Sequence, residues 1–157
     1  MSELLSFQNF YLAFSNQSPV VDDISFVVEK GTITALVGES GSGKSVSAMS
    51  VLRLLDNANH VNYQGSINFD DKNILTLKNN QLRGIRGHDV GFIFQEPMMS
   101  LNPLHRIEKQ IAETLYVHQG LSINQSRPKI IEWLEKVGLR NAKQRLKDFP
   151  HQFSGGE

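Results

Sequence analysis

The amino-acid sequence predicts an α/β fold, and three of its features support this prediction. Short β-rich runs, separated by turn residues, are the dominant pattern over residues 4–69. A glycine-rich loop at residues 38–45 lies between an apolar, β-branched run and a run of helix formers. After Pro97 the pattern changes to apolar residues at helical spacing. With 157 residues, the chain is long enough for one domain with a sizeable core.

Five short runs are rich in apolar, aromatic or β-branched residues and are predicted to be strands: residues 4–10, 24–28, 33–37, 66–69 and 90–94. The runs at 33–37 and 90–94 contain no proline and almost no polar residue, which is typical of strands buried on both faces. The aspartate pairs at 22–23 and 70–71 are predicted to form turns beside their strands rather than to bind a metal ion.

Three segments are predicted to be helices. Small residues and helix formers over residues 47–55 continue directly from the glycine-rich loop. Residues 104–120 and 123–137 carry apolar side chains at helical spacing. Gly120 and Gly138 stand at positions where glycine commonly ends a helix, so they mark the expected C-termini.

Composition excludes several classes of function. Sixteen basic and sixteen acidic residues balance, so there is no basic surface to argue for nucleic-acid binding. The absence of cysteine excludes disulfides and thiolate metal sites within this span. No apolar stretch approaches membrane-spanning length, and the N-terminus lacks the pattern of a secretory signal. We therefore expect a cytoplasmic chain, whose role at a membrane would depend on a partner.

The loop at residues 38–45 has the pattern G-x-x-x-x-G-K-[ST], which predicts phosphate binding. Its glycines permit positive φ and let phosphate oxygens approach the backbone, whose successive N–H groups form an anion nest at a helix start. Lys44 is expected to reach the β- and γ-phosphates of ATP, and the Ser45 hydroxyl to complete the Mg²⁺ shell. The expected nucleotide-binding residues are Gly38, Glu39, Ser40, Gly41, Ser42, Gly43, Lys44, Ser45 and Val46.

Two further motifs stand after the phosphate loop. Gln95 directly follows the predicted strand at 90–94, and residues 153–157 read Phe-Ser-Gly-Gly-Glu. In this order, the three motifs resemble those of the ATP-binding cassette (ABC) family. The resemblance implies a P-loop NTPase (RecA-like) core with an N-terminal antiparallel β subdomain and a helical subdomain, truncated at the signature motif. The expected division is a nucleotide-binding core over residues 1–95 and a helical signalling subdomain over 96–157.

The same resemblance implies a role for each motif in ATP hydrolysis. Gln95 is expected to contact Mg²⁺ or the attacking water, because a neutral amide can both donate to water and accept from it. Lys44 and Gln95 are thus the expected catalytic residues. Ser154, Gly155 and Gly156 are expected to open a helix and offer hydroxyl and N–H groups to the γ-phosphate on a facing second cassette. The alternative interpretations are a capped strand end at Gln95 and an ordinary loop at the signature.

An aromatic residue upstream of the phosphate loop is implied to stack on the adenine ring. Phe14 matches that position, and Tyr11 is the second candidate. A stack of this kind is worth roughly 1–3 kcal/mol, by analogy with nucleic-acid bases on aromatic side chains. The alternative for either residue is a packing contact in the small sheet.

Longer segments resemble the ATPases of dipeptide, oligopeptide and microcin C-type peptide importers. These segments are residues 82–87, 94–103, 117–120 and 145–157. Phe153 departs from the usual leucine, but both residues are apolar. The resemblance implies peripheral binding to transmembrane permeases at the cytoplasmic face of the cell membrane, as an ATP-binding subunit for peptide uptake. The alternatives are a soluble ABC-type ATPase of DNA repair or translation, and a small-molecule P-loop kinase, which leaves Gln95 and the signature unexplained.

The acidic motif of the family is missing from the sequence. In that family an apolar strand ends in Asp-Glu, where the glutamate polarises the attacking water, and this chain contains no Asp-Glu dipeptide. Losing part of a phosphoryl-transfer site typically costs orders of magnitude in rate. We therefore expect the chain as printed to bind Mg-ATP weakly at most and not to hydrolyse it at a meaningful rate.

Overall fold

The computed structural model of the protein describes residues 2–15, 17–56, 60–96 and 100–154. The chain divides into two compact units, Met1–Val90 and Gly91–Glu157. Each unit is described by itself below. The signature glycines Gly155 and Gly156 lie outside the described residues.

The first unit contains a four-stranded antiparallel sheet. Its strands are β1 (Glu3–Phe14), β2 (Val21–Glu29), β3 (Val61–Phe69) and β4 (Lys72–Asn73), in the order β2-β1-β3-β4. This sheet confirms the antiparallel β subdomain that the sequence predicts. Asp70 and Asp71 form the turn between β3 and β4, with φ of 46° and 60°. The turn prediction for residues 22–23 is wrong, because both aspartates lie within β2.

The sheet supplies many of the buried apolar side chains of the first unit. Phe10, Leu12 and Ile67 are fully buried, and the rings of Phe7 and Phe26 stack across β1 and β2 with centroids 4.5 Å apart. Such aromatic cross-strand pairs are a main source of sheet stability. The helices of this unit are α1 (Lys44–Ser50), which continues as turns through residue 56, and α2 (Asn79–Ile85), which follows a 3₁₀ turn at Ile74–Thr76.

The two strands predicted at 33–37 and 90–94 are absent from the described structure. Residues 32–39 and 91–94 have no assigned secondary structure, and Val90 forms only an isolated bridge with Arg86. Ile33 and Ile93 are almost completely exposed. A parallel strand takes its hydrogen bonds from neighbouring strands, and among the described residues neither segment has a neighbouring strand. The prediction of buried strands at 33–37 and 90–94 is therefore wrong for the described structure, because an apolar pattern cannot supply the neighbouring strands that such a strand needs.

The second unit is helical. It consists of α3 (Ile107–Gln119), α4 (Ile123–Lys136), α5 (Ala142–Arg145) and a 3₁₀ turn at Pro150–Gln152. Gly120 ends α3 in the left-handed conformation, as the sequence predicts. A capping box between Ser122 and Gln125 starts α4. The core of the unit is formed by Ala112, Leu115, Ile130 and Leu146, with Ile111, Leu121, Ile131 and Leu134 packed against them.

Hydrogen bonds tie α3 to the segment after α5. The backbone N–H of Ile107 donates to the Asp148 carbonyl at 3.0 Å, and that of Glu108 donates to the Leu146 carbonyl at 3.0 Å. The nearly buried Glu108 carboxylate also forms an ion pair with Arg127 of α4. None of the described helices combines the length and the apolar character needed to cross a membrane.

Candidate nucleotide-binding site

The phosphate-loop pattern forms a compact turn that leads into α1. Gly41 and Gly43 adopt φ of 84° and 86°, in the left-handed region that side chains with a Cβ rarely occupy. The Ser42 N–H donates to the Glu39 carbonyl at 3.2 Å, and the Ser47 N–H donates to the Gly43 carbonyl at 2.8 Å. The loop therefore closes on itself and passes directly into the helix.

Gly43 lies in close contact with the start of β2. A Cβ added to Gly43 would lie 2.7 Å from the Val20 carbonyl oxygen and 3.1 Å from Val21 Cγ2. A Cβ added to Gly38 would lie 2.8 Å from Ser42 Oγ. The approach to Val20 explains why position 43 requires glycine, and it seats the loop against the start of β2.

The Lys44 ammonium is held by oxygen atoms of its own loop. Its Nζ donates to the carbonyls of Gly38 at 2.8 Å and Glu39 at 2.5 Å, and to Ser42 Oγ at 3.3 Å. The positive charge therefore lies at the concave side of the turn. A phosphate group also offers oxygen acceptors, and an ammonium binds them through charge-assisted hydrogen bonds. Phosphate oxygens can therefore replace the loop oxygens as partners of Lys44.

A cleft of about 310 Å³ lies between the loop and β2. It is lined by Val20, Val21, Asp22, Ile24, Leu36, Val37, Gly38, Ser42, Lys44 and Ser47. The residues from β2 and the turn before it were not predicted from the sequence as site residues. They are about twenty positions away from the loop, and an apolar strand start has no local pattern that signals a long-range contact.

The other predicted nucleotide-binding residues of the first unit that have side chains do not line the cleft. Glu39, Ser40 and Ser45 are exposed on the loop, and the Val46 carbonyl accepts a hydrogen bond from Ser50 Oγ at 2.7 Å. Phe14 is half-buried at the end of β1, opposite Val61, and it is not among the residues that line the cleft.

A polar cluster anchors the turns that follow α1. Arg86 donates to the carbonyls of Leu52 at 2.8 Å and Arg53 at 3.0 Å, which joins these turns to the end of α2. Arg53 forms an ion pair with Asp56 at 2.7 Å, and the Tyr63 hydroxyl of β3 donates to Asp56 at 3.1 Å. Burial, together with the Asp56 carboxylate, raises the pKa of Tyr63 well above its ordinary value. The cluster holds the helix after the loop against the sheet.

The remaining predicted site residues belong to the second unit. Gln95 is exposed in the segment that precedes the helices, and Ser154 is exposed immediately after Phe153. The loop at 38–45 belongs to the first unit. Gly155 and Gly156 are outside the described residues, so their predicted contact with phosphate stays a prediction.

Comparisons with known proteins agree with the motifs. The family described as "ABC transporter" matches residues 21–157. The chain is 47% identical to the uncharacterized ABC transporter ATP-binding protein YejF of Escherichia coli (strain K12), over 98% of the chain and 30% of YejF. It is 40% identical to the oligopeptide transport ATP-binding protein AppD of Bacillus subtilis (strain 168), over 99% of the chain and 48% of AppD. The chain thus spans half or less of the length of these relatives.

A solved structure confirms the predicted fold class. It is an ATP-binding cassette described as a dimer in a post-hydrolysis state with ADP and Pi bound. The chain resembles it with a TM-score of 0.78 and 22% sequence identity, over 97% of the chain and 64% of that structure.

Proposed function

Because the chain belongs to the ABC transporter family, we propose that it is the ATP-binding part of an importer subunit that couples ATP binding and hydrolysis to peptide uptake. The observation that carries this proposal is the loop at 38–45, whose glycine turn holds the Lys44 ammonium beside a cleft of about 310 Å³. Peptides are the proposed cargo because the similar protein AppD is named for oligopeptide transport.

The chemistry of the loop fits a nucleoside triphosphate. The close approach of Gly43 to the Val20 carbonyl leaves no space for a side chain there, and the backbone N–H groups of the turn can donate to phosphate oxygens. The Lys44 ammonium now donates to the carbonyls of Gly38 and Glu39. With a nucleotide bound, it would donate to oxygens of the β- and γ-phosphates instead. The apolar start of β2, at Val20 and Val21, lines the part of the cleft beside the loop and can cover the nucleotide.

The proposed metal ion is Mg²⁺, for which the hydroxyl of Ser45 and the amide of Gln95 offer the oxygen ligands that this hard cation prefers. When bound, it would neutralise charge on the β- and γ-phosphates. Ser45 directly follows Lys44 in the first turn of α1 and is exposed, so its hydroxyl is accessible to a metal ion. Gln95 would orient the attacking water through its neutral amide.

We propose that hydrolysis requires two cassettes. The signature residues Ser154, Gly155 and Gly156 would contact the γ-phosphate held by the loop of the opposite cassette, and the opposite signature would complete this loop. The similar solved cassette is described as a dimer with ADP and Pi, which supports a paired site. No Asp-Glu dipeptide occurs in the sequence, so we propose that the chain as printed binds Mg-ATP weakly and does not turn it over.

The proposed partners are transmembrane permeases, with the chain on the cytoplasmic face of the cell membrane. The segment 96–103 contains apolar residues next to Gln95 and is the proposed permease contact. Its residues Pro97, Met98 and Met99 lie outside the described residues. No described feature favours the soluble ABC-type alternative.

Affinity purification of the full-length protein from its native membrane fraction tests this function. The importer proposal predicts co-purification of two permease chains, with ATP turnover that depends on Lys44. A Lys44→Ala protein is the matched control, because it should retain the permeases while losing turnover. Recovery of ribosomes or DNA without any permease would contradict the proposal and support a soluble ABC ATPase.

A further inference from the structure

We propose that Arg145 is a positioning residue that holds the segment 149–153 in one conformation and thereby orients Ser154 for contact with nucleotide. The inference deepens the proposed function and rests on it, since Ser154 is a nucleotide contact only in an ABC ATPase. It concerns a residue of α5 that belongs to neither the phosphate loop nor the signature motif.

Arg145 joins three groups of the segment that leads to the signature. Its Nε donates to Asp148 Oδ2 at 3.1 Å, and its Nη2 donates to the Gln152 carbonyl at 3.1 Å. The guanidinium carbon lies 4.0 Å from the centroid of the Phe153 ring, in a cation–π contact. The side chain of Arg145 is only 23% exposed. The guanidinium therefore contacts both residues that directly precede Ser154.

The other end of this segment is fixed independently of Arg145. The Gln152 side chain accepts a hydrogen bond from the Phe149 N–H at 2.8 Å, and the Gln152 N–H donates to the Phe149 carbonyl at 2.9 Å. Pro150 is buried, and Arg106 lies over the Phe149 ring at 5.9 Å from its centroid. The turn at Pro150–Gln152 is thus closed at its start, while Arg145 controls the direction in which the chain leaves it.

The contacts require arginine rather than any cation. A planar guanidinium can donate along two directions in its plane while its face lies on an aromatic ring, whereas an ammonium is a point charge without a planar face. Phe153 supplies the aromatic ring that Arg145 covers, and an aliphatic side chain at this position would offer none. The pair of Arg145 and Phe153 is therefore a directed contact next to Ser154.

Hydrogen exchange of the nucleotide-free, full-length protein tests the positioning role without reference to activity. The Phe153 N–H donates to the Pro150 carbonyl at 3.1 Å, at the end of the turn that Arg145 contacts. Arg145→Ala is expected to speed exchange of the peptide covering residues 150–154 by about tenfold, since a hydrogen bond from a charged donor is lost. Lys143→Ala removes an exposed cation from the same helix and should leave that exchange unchanged. Equal exchange in the Arg145→Ala and wild-type proteins would overturn the inference.

Arg145→Lys separates positioning from general stability. It keeps the charge and the aliphatic stem, so the helical unit should fold, but it loses the fork and the stacked plane. We expect its exchange to resemble that of Arg145→Ala, and its ATP turnover to fall by about tenfold to a hundredfold, with affinity of the phosphate loop for ATP kept within about twofold. Full turnover in Arg145→Lys would overturn the role at Ser154. A wild-type protein without any turnover would instead overturn the proposed function, while the exchange result would still decide whether Arg145 holds the segment.

Discussion

Gly43→Ala is expected to destabilise the first unit by clearly more than Gly41→Ala does. Both glycines lie in the left-handed region, with φ of 86° and 84°, so either alanine adds about 1–2 kcal/mol of backbone strain. They differ in what an added Cβ would meet. At Gly43 the Val20 carbonyl oxygen would be 2.7 Å away, and at Gly41 there is nothing within 4 Å.

The contact at Gly43 adds a second cost because its neighbours are fixed. The Val20 oxygen is a backbone atom that cannot rotate away, and Val21 is buried at 4% exposure in β2. Overpacking of this kind typically costs about 1–3 kcal/mol. The expected loss in free energy of unfolding is therefore about 2–5 kcal/mol for Gly43→Ala and about 1–2 kcal/mol for Gly41→Ala.

Urea unfolding followed by far-UV circular dichroism measures this difference. With slopes of about 1–3 kcal/mol per molar urea, the Gly43→Ala midpoint should lie about 1 M below that of Gly41→Ala. The slope should be the same in both variants, because neither changes the surface exposed on unfolding. Equal midpoints, or a lower midpoint for Gly41→Ala, would refute the close packing of the loop on the start of β2.

Three further predictions concern the nucleotide, the partner and pH. Phe14→Ala should weaken ATP binding by roughly 1–3 kcal/mol but leave tripolyphosphate binding unchanged in calorimetry; equal loss for both ligands would assign Phe14 to sheet packing. A charge at Met99 should reduce peptide uptake while ATP affinity survives, and lost ATP binding with intact permease association would contradict a coupling role. The raised pKa of Tyr63 means that the unfolded chain loses the phenol proton first, so stability should fall as the pH rises above about 10. Tyr63→Phe should flatten that decline in unfolding midpoints, and an unchanged pH profile would exclude the tyrosine as its cause.

Local patterns predicted the parts of the fold that depend on local interactions. The β-rich run within β1 and the helical spacing over α3 and α4 are visible in the sequence because both are local patterns of apolar residues. The end of α3 at Gly120 was predictable from its conformational freedom. The capping box of Ser122 and Gln125 at the start of α4 is likewise a local spacing of the S-x-x-Q type.

Long-range contacts explain what the sequence did not predict. The run at residues 33–37 has the composition of a buried strand, yet a strand exists only where neighbours accept and donate its hydrogen bonds. The candidate site also depends partly on long-range contacts. Its phosphate loop is predictable from the glycine pattern, but Val20 and Val21 line the cleft only because the start of β2 lies against Gly43. The role of Arg145 likewise depends on a turn that brings Gln152 and Phe153 back to α5.

Calorimetric titration of Mg-ATP into the full-length protein, compared with its Lys44→Ala variant, tests most directly the claim that residues 38–45 hold a nucleoside triphosphate. The Lys44 ammonium is held by loop oxygens and is the cation that the loop offers to the phosphates. Its removal should weaken binding by about tenfold to a hundredfold, as expected for charge-assisted hydrogen bonds. Lys30→Ala, which removes an exposed cation from the turn after β2, should bind ATP as the wild type does. Equal ATP affinity in the wild-type and Lys44→Ala proteins would contradict the account.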